Sequence, residues 1–210
     1  MGEKGISQAV INRLPRYYRY LGDLIHEGEE RISSNVLSNR MNVTASQIRQ
    51  DLNHFGGFGQ QGYGYNIKTL HAEIGHILGV DKKQGFIVIG AGNLGQAIAN
   101  YVGFEQYGFQ LKGIFDVDLA YVGEEIRGIP IRHMRELRSF LTEVEISIAA
   151  LTVPRSAVDQ VIPILTEGKI QGIWNFTHNE IKVPEDIKVE NVHLSDSLLR
   201  LSCNLTHLAQ

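Results

Sequence analysis

The chain has 210 residues, room for one large domain or two small ones. Its apolar stretches are short and broken by glycine, which excludes a membrane span, and the polar N-terminus carries no export signal. A single cysteine, Cys203, excludes an intrachain disulfide and points to a reducing cytoplasm, with Cys203 itself a small packing residue of a helix. The formal net charge of −3 divides unevenly: residues 1–80 carry eight Lys and Arg against seven Asp and Glu, residues 81–210 twelve against sixteen. That balance does not by itself make the first part a nucleic-acid binder.

The first eighty residues read as helices and one glycine-rich hairpin. Arg13, Arg16 and Arg19 recur every three residues on one helical side, a pattern that serves a solvated face or a face turned to DNA. In "RISSNVLSNRMNVTASQIRQDLNHFG", Ser33 or Ser34 can cap a helix through Arg40, and "MNV" makes a turn. Thr44 with Gln47 is a capping box that opens a second helix. Ile48 and Leu52 give that helix a core face, from which Ser46, Arg49, Gln50 and Asn53 point away. This is the layout of a helix-turn-helix, shared with small helical bundles. The outward residue types sharpen it, because an early Arg can donate two hydrogen bonds to guanine, and Ser and Gln can bond phosphates or bases.

Next, "FGGFGQQGYGYNI" holds five glycines between Gly56 and Gly64, either a hairpin wing that brings backbone close to a partner or an ordinary turn. The candidate DNA contacts are Arg16, Ser33, Ser34, Ser46, Gln47, Arg49, Gln50, Gly59, Tyr63 and Lys68.

Composition changes at "LGVDKKQG", where a helix closes on Gly79 and a charged linker leads to the buried strand Phe86–Ile89. "GFIVIGAGNLGQAIANY" then gives strand, glycine turn and helix. Gly90 permits a tight turn, Gly92 admits phosphate oxygens to backbone amides, and Gly95 lets helix and strand pack closely. The helix N-terminus adds partial positive charge to this anion site. A strand "FQLKGIFD" ends on Asp116, 21 positions past Gly95, where a carboxylate can accept from both ribose hydroxyls. Asp116 would repel a 2′-phosphate and no Arg or Lys follows at once, which favours NAD(H) over NADP(H).

Further strands in "EVEISIAAL", "KIQGIWNF" and "IKVENVHL", with a helix in "PRSAVDQVIPILTEG", complete a βαβ series and a doubly wound parallel sheet. Candidate cofactor residues are Gly90, Ala91, Gly92, Asn93, Leu94, Gly95, Asp116, Val117, Asp118, Thr152, Val153 and Asn175, the last on the nicotinamide side with Thr152.

A hydride-transfer enzyme needs a group to move a proton and room for a substrate. The sheet takes up most of the chain after Gly85, and His133, His178, His193 and His207 assemble no evident site. The cofactor is therefore expected to be sensed and not consumed. The tail "LSDSLLRLSCNLTHLAQ" spaces Leu194, Leu198, Leu201, Leu205 and Leu208 by four and three, the stripe of a helix in a dimer interface or lying on its own sheet.

Together, "RLPRYYRYL", "ISSNVLS", "QIRQDLNHFGGFGQQGYGY", "GAGNLGQAIANYVGF", "FDVD", "LTVP" and "WNF" resemble the Rex family of redox-sensing transcriptional repressors over nearly the whole chain. The resemblance implies a winged helix-turn-helix domain (1–80), a Rossmann NAD(H)-binding domain (85–193) and a C-terminal helix (194–210) exchanged between subunits of a homodimer. It implies an inverted-repeat DNA operator, bound with NAD+ and released by NADH. Arg49 looks like the family's base-reading arginine, and Ser34 and Arg16 like backbone contacts.

Three residues depart from the family pattern: Gln50 where a cation is expected, His178 in place of a proline, and His193 in place of an aspartate that shares a switch network with the tyrosine matched by Tyr101. His193 is expected to make the response sensitive to pH near neutrality. Two rivals stand beside this reading: a dehydrogenase with an appended DNA-binding domain, and a regulator sensing another nucleotide such as coenzyme A.

Overall fold

The structure, a computed structural model, describes residues 6–53, 59–60 and 64–208. It divides after Lys82 into two compact units.

The first unit opens with α1 (Gln8–Ile11) and α2 (Leu14–His26). Leu14, Tyr17, Leu21 and Leu24 recur at three and four residues and are all buried, while Pro15 sits in the first turn, where its missing N–H costs nothing. β1 (Arg31–Ile32) leads to α3 (Ser34–Met41) and α4 (Ala45–Asn53). Ser33 caps α3, its Oγ accepting from the Val36 N–H at 3.2 Å. Asn42 ends α3 in the left-handed region at φ 54°, a conformation Asn tolerates, and this makes the tight turn. Thr44 Oγ1 accepts from the Gln47 N–H at 3.1 Å to start α4.

β2 (Gly59–Gln60) and β3 (Gly64–Asn66) form an antiparallel hairpin that β1 joins in the order β1-β3-β2. α5 (Ile67–Leu78) follows, capped by Asn66. Leu14, Tyr17, Leu37, Ile48, Leu70 and Ile74 fill the core among these elements. Helices packed with a hairpin wing make this a winged helix-turn-helix.

The second unit runs β4 (Gln84–Ile89), α6 (Asn93–Asn100), β5 (Phe109–Asp116), β6 (Glu125–Ile126), β7 (Ile129–His133), α7 (Leu137–Glu143), β8 (Ile148–Leu151), α8 (Val158–Glu167), β9 (Gly172–Asn175), β10 (Lys188–Asn191) and α9 (Leu194–Leu208). The sheet order is β10-β9-β8-β4-β5-β7-β6, parallel except for β6. The chain moves outward from β4 through β5 and β7, then returns to its other side for β8, β9 and β10. That reversal is the doubly wound plan, with its switch point at the C-terminal end of β4. β4 is buried on both faces: Ile87 and Ile89 enter one core cluster with Phe115, Phe86 and Val88 the other with Ile114.

The β6–β7 hairpin is the main element missing from the sequence reading. Arg127 and Gly128 both take positive φ, 54° and 75°, the primed turn that suits strand twist. His133 ends β7. Its Nδ1 accepts from the Arg135 N–H at 3.1 Å, capping a short 3₁₀ turn that leads to α7. α9 leaves Leu194, Leu198, Leu201 and Leu205 exposed, each by more than half; the side chain of Leu208 lies outside the described residues. Among the described residues no helix is long and apolar enough to cross a membrane.

Candidate functional site

At the switch point the chain leaves β4 through Gly90, whose φ of 102° is one that side chains rarely adopt. A Cβ there would also lie 2.9 Å from the Thr152 backbone. At Gly95 a Cβ would lie 1.8 Å from the Gly90 carbonyl oxygen and 2.8 Å from Thr152 Oγ1. Both glycines are thus demanded by the chain's own packing.

Gly92 differs. Its φ is an ordinary −70° and a Cβ would meet nothing within 4 Å. The fold does not require this glycine, and it stands at the N-cap of α6, where free amides and the helix dipole favour an anion. Gly92→Ala should therefore leave folding within about 1 kcal/mol of the parent, the scale of an N-cap change. It should weaken NADH binding roughly tenfold or more by obstructing the pyrophosphate; parallel melting and fluorescence titrations check both.

Asp116, last residue of β5, accepts from the Ala91 N–H of the glycine turn and, at 2.8 Å, from the Asp118 N–H. Each carboxylate oxygen keeps a further lone pair for a ribose hydroxyl. Asp118 also caps its own loop, accepting from the Ala120 N–H at 2.9 Å, and Val117 beside it is 68% exposed. Ala91 is buried, Asn93 is exposed at the first turn of α6, and Leu94 and Val153 pack against the two cores.

Two nicotinamide-side expectations change. Thr152 Oγ1 lies 2.9 Å and 2.8 Å from the carbonyl oxygens of Ile89 and Gly90, so it braces the turn. Asn175 is fully buried. Its Nδ2 donates to Asn179 O and Asn191 Oδ1, while its Oδ1 accepts from the Thr177 N–H and hydroxyl. With every polar valence spent inside the fold, Asn175 secures the end of β9 and offers no free group. Tyr101, by contrast, is 54% exposed at the end of α6, its ring edge-on to Phe104 at 4.7 Å.

In the first unit α4 carries Ser46, Arg49, Gln50 and Asn53 on its exposed side, as its pattern predicts. Arg49 Nη1 donates to Ser34 Oγ at 3.1 Å, so the candidate base-reading side chain is held from α3. Ser33 and Lys68 are exposed, as is Arg16, whose guanidinium lies over the Tyr20 ring at 5.7 Å. Gly59 lies in β2, and Tyr63 falls outside the described residues.

Gln47 is a correction. Its side chain does not complete the capping box; Nε2 donates instead to Asp51 Oδ1 at 2.7 Å. Arg13 also leaves the expected arginine face, turning inward to bind both oxygens of Asp51 at 2.7 Å, and Tyr17 adds a bond at 2.9 Å. Asp51 is wholly buried. Desolvation pushes its carboxyl up, but the bonds from Arg13, Gln47 and Tyr17 together hold it below the usual carboxylate range. Sequence reasoning missed this group, although a carboxylate between Ile48 and Leu52 on a core face demands a buried partner.

Two family models match the chain: "Putative DNA-binding protein N-terminus" over residues 5–53 and "CoA binding domain" over residues 81–179. The redox-sensing transcriptional repressor Rex of Clostridium perfringens (strain SM101 / Type A) is 53% identical over 205 residues, covering 98% of this chain and 97% of that one. The chain belongs to the Rex family of redox-sensing transcriptional repressors.

Among solved structures, the Rex-family repressor RSP in complex with beta-NAD+ and operator DNA has a TM-score of 0.92 at 50% identity, covering 98% of this chain and 95% of that one. RSP in complex with beta-NADH has a TM-score of 0.90 at 47% identity, covering 97% and 96%. The Rex relatives are named as repressors, which sets aside the dehydrogenase alternative. Two of the three departures from the Rex pattern meet in space: the rings of His178 and His193 stack with centroids 6.0 Å apart and planes 5° apart. Gln50 stands exposed on α4.

Proposed function

We propose that this chain represses transcription by binding an inverted-repeat DNA operator as a homodimer in the cytoplasm, and that NADH bound at the glycine turn releases it. The observation that carries the reading is Gly92, a glycine the fold does not need, at a helix N-terminus in a chain that also holds a winged helix-turn-helix. Residues 1–80 read DNA, residues 85–193 hold NAD+ or NADH, and residues 194–210 supply a helix exchanged between subunits. Leu194, Leu198, Leu201 and Leu205 of α9 are exposed and form an apolar stripe suited to a partner subunit.

NAD+ and NADH differ by one positive charge on the nicotinamide ring. An apolar, closed pocket penalises the charged ring, so a compact dimer prefers NADH and an open one tolerates NAD+. If the two forms differ in spacing of their recognition helices, only one matches half-sites a helical turn apart. Differential affinity of about 1–3 kcal/mol changes DNA binding roughly 5- to 150-fold, while a complete two-way switch needs about 5.5 kcal/mol.

The name of the second family model favours one other ligand, coenzyme A. Its ribose phosphate is an anion that Asp116 would repel. The test is equilibrium titration of the full chain with NADH, NAD+ and coenzyme A, followed by the fluorescence of Trp174, the single tryptophan. NADH should bind most tightly, and Asp116→Ala should weaken it roughly 10- to 100-fold, the scale of hydrogen bonds to a charged group. Tighter binding of coenzyme A, or an Asp116→Ala chain with parental NADH affinity, would overturn the coenzyme assignment.

A further inference from the structure

We propose that Asp51, bound by Arg13, Tyr17 and Gln47, is a positioning residue that fixes the rotation and register of α4 so that Arg49 meets the duplex at one angle. The inference rests on the DNA-binding reading above and adds four residues that act on DNA without touching it.

α4 is only nine residues long. Its apolar anchors, Ile48 and Leu52, are held by burial, which is non-directional and tolerates some rolling of a short helix. Hydrogen bonds to a carboxylate are directional. Arg13 Nε and Nη2 grip the two oxygens of Asp51 side by side at 2.7 Å each. Tyr17, one turn further along α2, adds a bond to Oδ2, and Gln47, on α4 itself, adds one to Oδ1 that orients the carboxylate toward α2. A carboxylate has about four acceptor positions, and all four are taken. Rotating α4 by even part of a residue step would break this fork.

Stability alone does not explain such a group. Replacing a buried ion pair with apolar residues of similar volume is often neutral or stabilising, so its use lies in geometry more than in free energy. Arg49 supplies the other half of the geometry. It is two residues before Asp51, on the exposed side of the helix, and is tied to Ser34 of α3. One polar contact thus sets the helix from α2 and another sets the reading side chain from α3. Base readout by a forked guanidinium needs that accuracy, whereas attraction to phosphates is long-ranged and forgiving.

A positioning role separates two kinds of binding that a purely structural role would not separate. The probes are a duplex enriched by the parent protein from a randomised pool and a scrambled duplex of equal length. The paired change Arg13→Met with Asp51→Leu conserves net charge and removes the fork. The full-length variant should fold, its melting lowered only by the Tyr17 hydroxyl left without its acceptor, and bind the scrambled duplex as the parent does. Its preference for the enriched duplex should fall roughly tenfold, the order of one bidentate base contact. Tyr17→Phe, which keeps the ring and deletes one bond, should lower that preference about threefold while leaving the chain folded. It decides the matter if the paired variant fails to fold. A folded variant that keeps the parental preference overturns the inference and leaves the DNA reading intact. A parent protein that enriches no duplex overturns both.

Discussion

Gly95→Ala should cost the second unit about 3 kcal/mol or more and abolish NADH binding at any practical concentration. The added methyl would lie 1.8 Å from the Gly90 carbonyl oxygen and 2.8 Å from Thr152 Oγ1. Neither neighbour is a flexible side-chain tip: one is backbone in a strained left-handed turn, and the other is itself braced on the Ile89 and Gly90 carbonyls. Overpacking ordinarily costs about 1–3 kcal/mol because side chains move aside, and here backbone must move. Separating α6 from β4 also spoils the amide cradle at Gly92. Urea unfolding followed by Trp174 fluorescence checks the first half of this result, and an NADH titration with Gly92→Ala alongside checks the second. Equal stability of Gly95→Ala and the parent would show that the turn is looser than its contacts imply.

Asp51→Ala should destabilise the first unit by about 3 kcal/mol, the lower end for removing one partner of a buried ion pair, because the Arg13 side chain keeps 28% exposure and recovers some water. Hydrogen exchange of peptides from α2 and α4 in the full chain should speed up roughly 100-fold, while peptides from β4 and β8 stay unchanged. The same carboxylate sets an acid response. Its pKa in the folded state is depressed, so its contribution is complete above the unfolded value of about 3.9 and disappears as pH falls through the lower folded value. Asp51→Asn should flatten exchange in that acid window. A parent and an Asp51→Asn chain with the same acid profile would contradict the assignment.

The parts legible in the sequence are those governed by local pattern. Phe86–Ile89 reads as a strand buried on both faces, and "FQLKGIFD" places Asp116 at its very end, where β5 stops. The spacing of Ile48 and Leu52 orients α4 correctly, with Arg49 outward. The features that escape the sequence are governed by partners distant along it. Asp51 is polar and does not look like a core position, yet Arg13, 38 residues away, makes burial tolerable. Once Asp51 is inside, Gln47 has a stronger acceptor than the capping box offers, and the capping prediction fails for its side chain. Asn175 fails similarly, since the end of a strand can face either the crevice or the core, and Thr177 with Asn191 draws it inward. The hairpin around Arg127 and Gly128 is hidden by Pro130, which interrupts the pattern of a strand.

The proposed switch makes affinity for duplex DNA depend on the oxidation state of a bound dinucleotide. Anisotropy of the enriched duplex, measured as NADH replaces NAD+ at constant total coenzyme, tests it directly. Release of the duplex as the reduced fraction rises, with affinity falling roughly 5- to 150-fold, is the predicted result. An unchanged dissociation constant from fully oxidised to fully reduced coenzyme, with both forms shown to be bound, would contradict it.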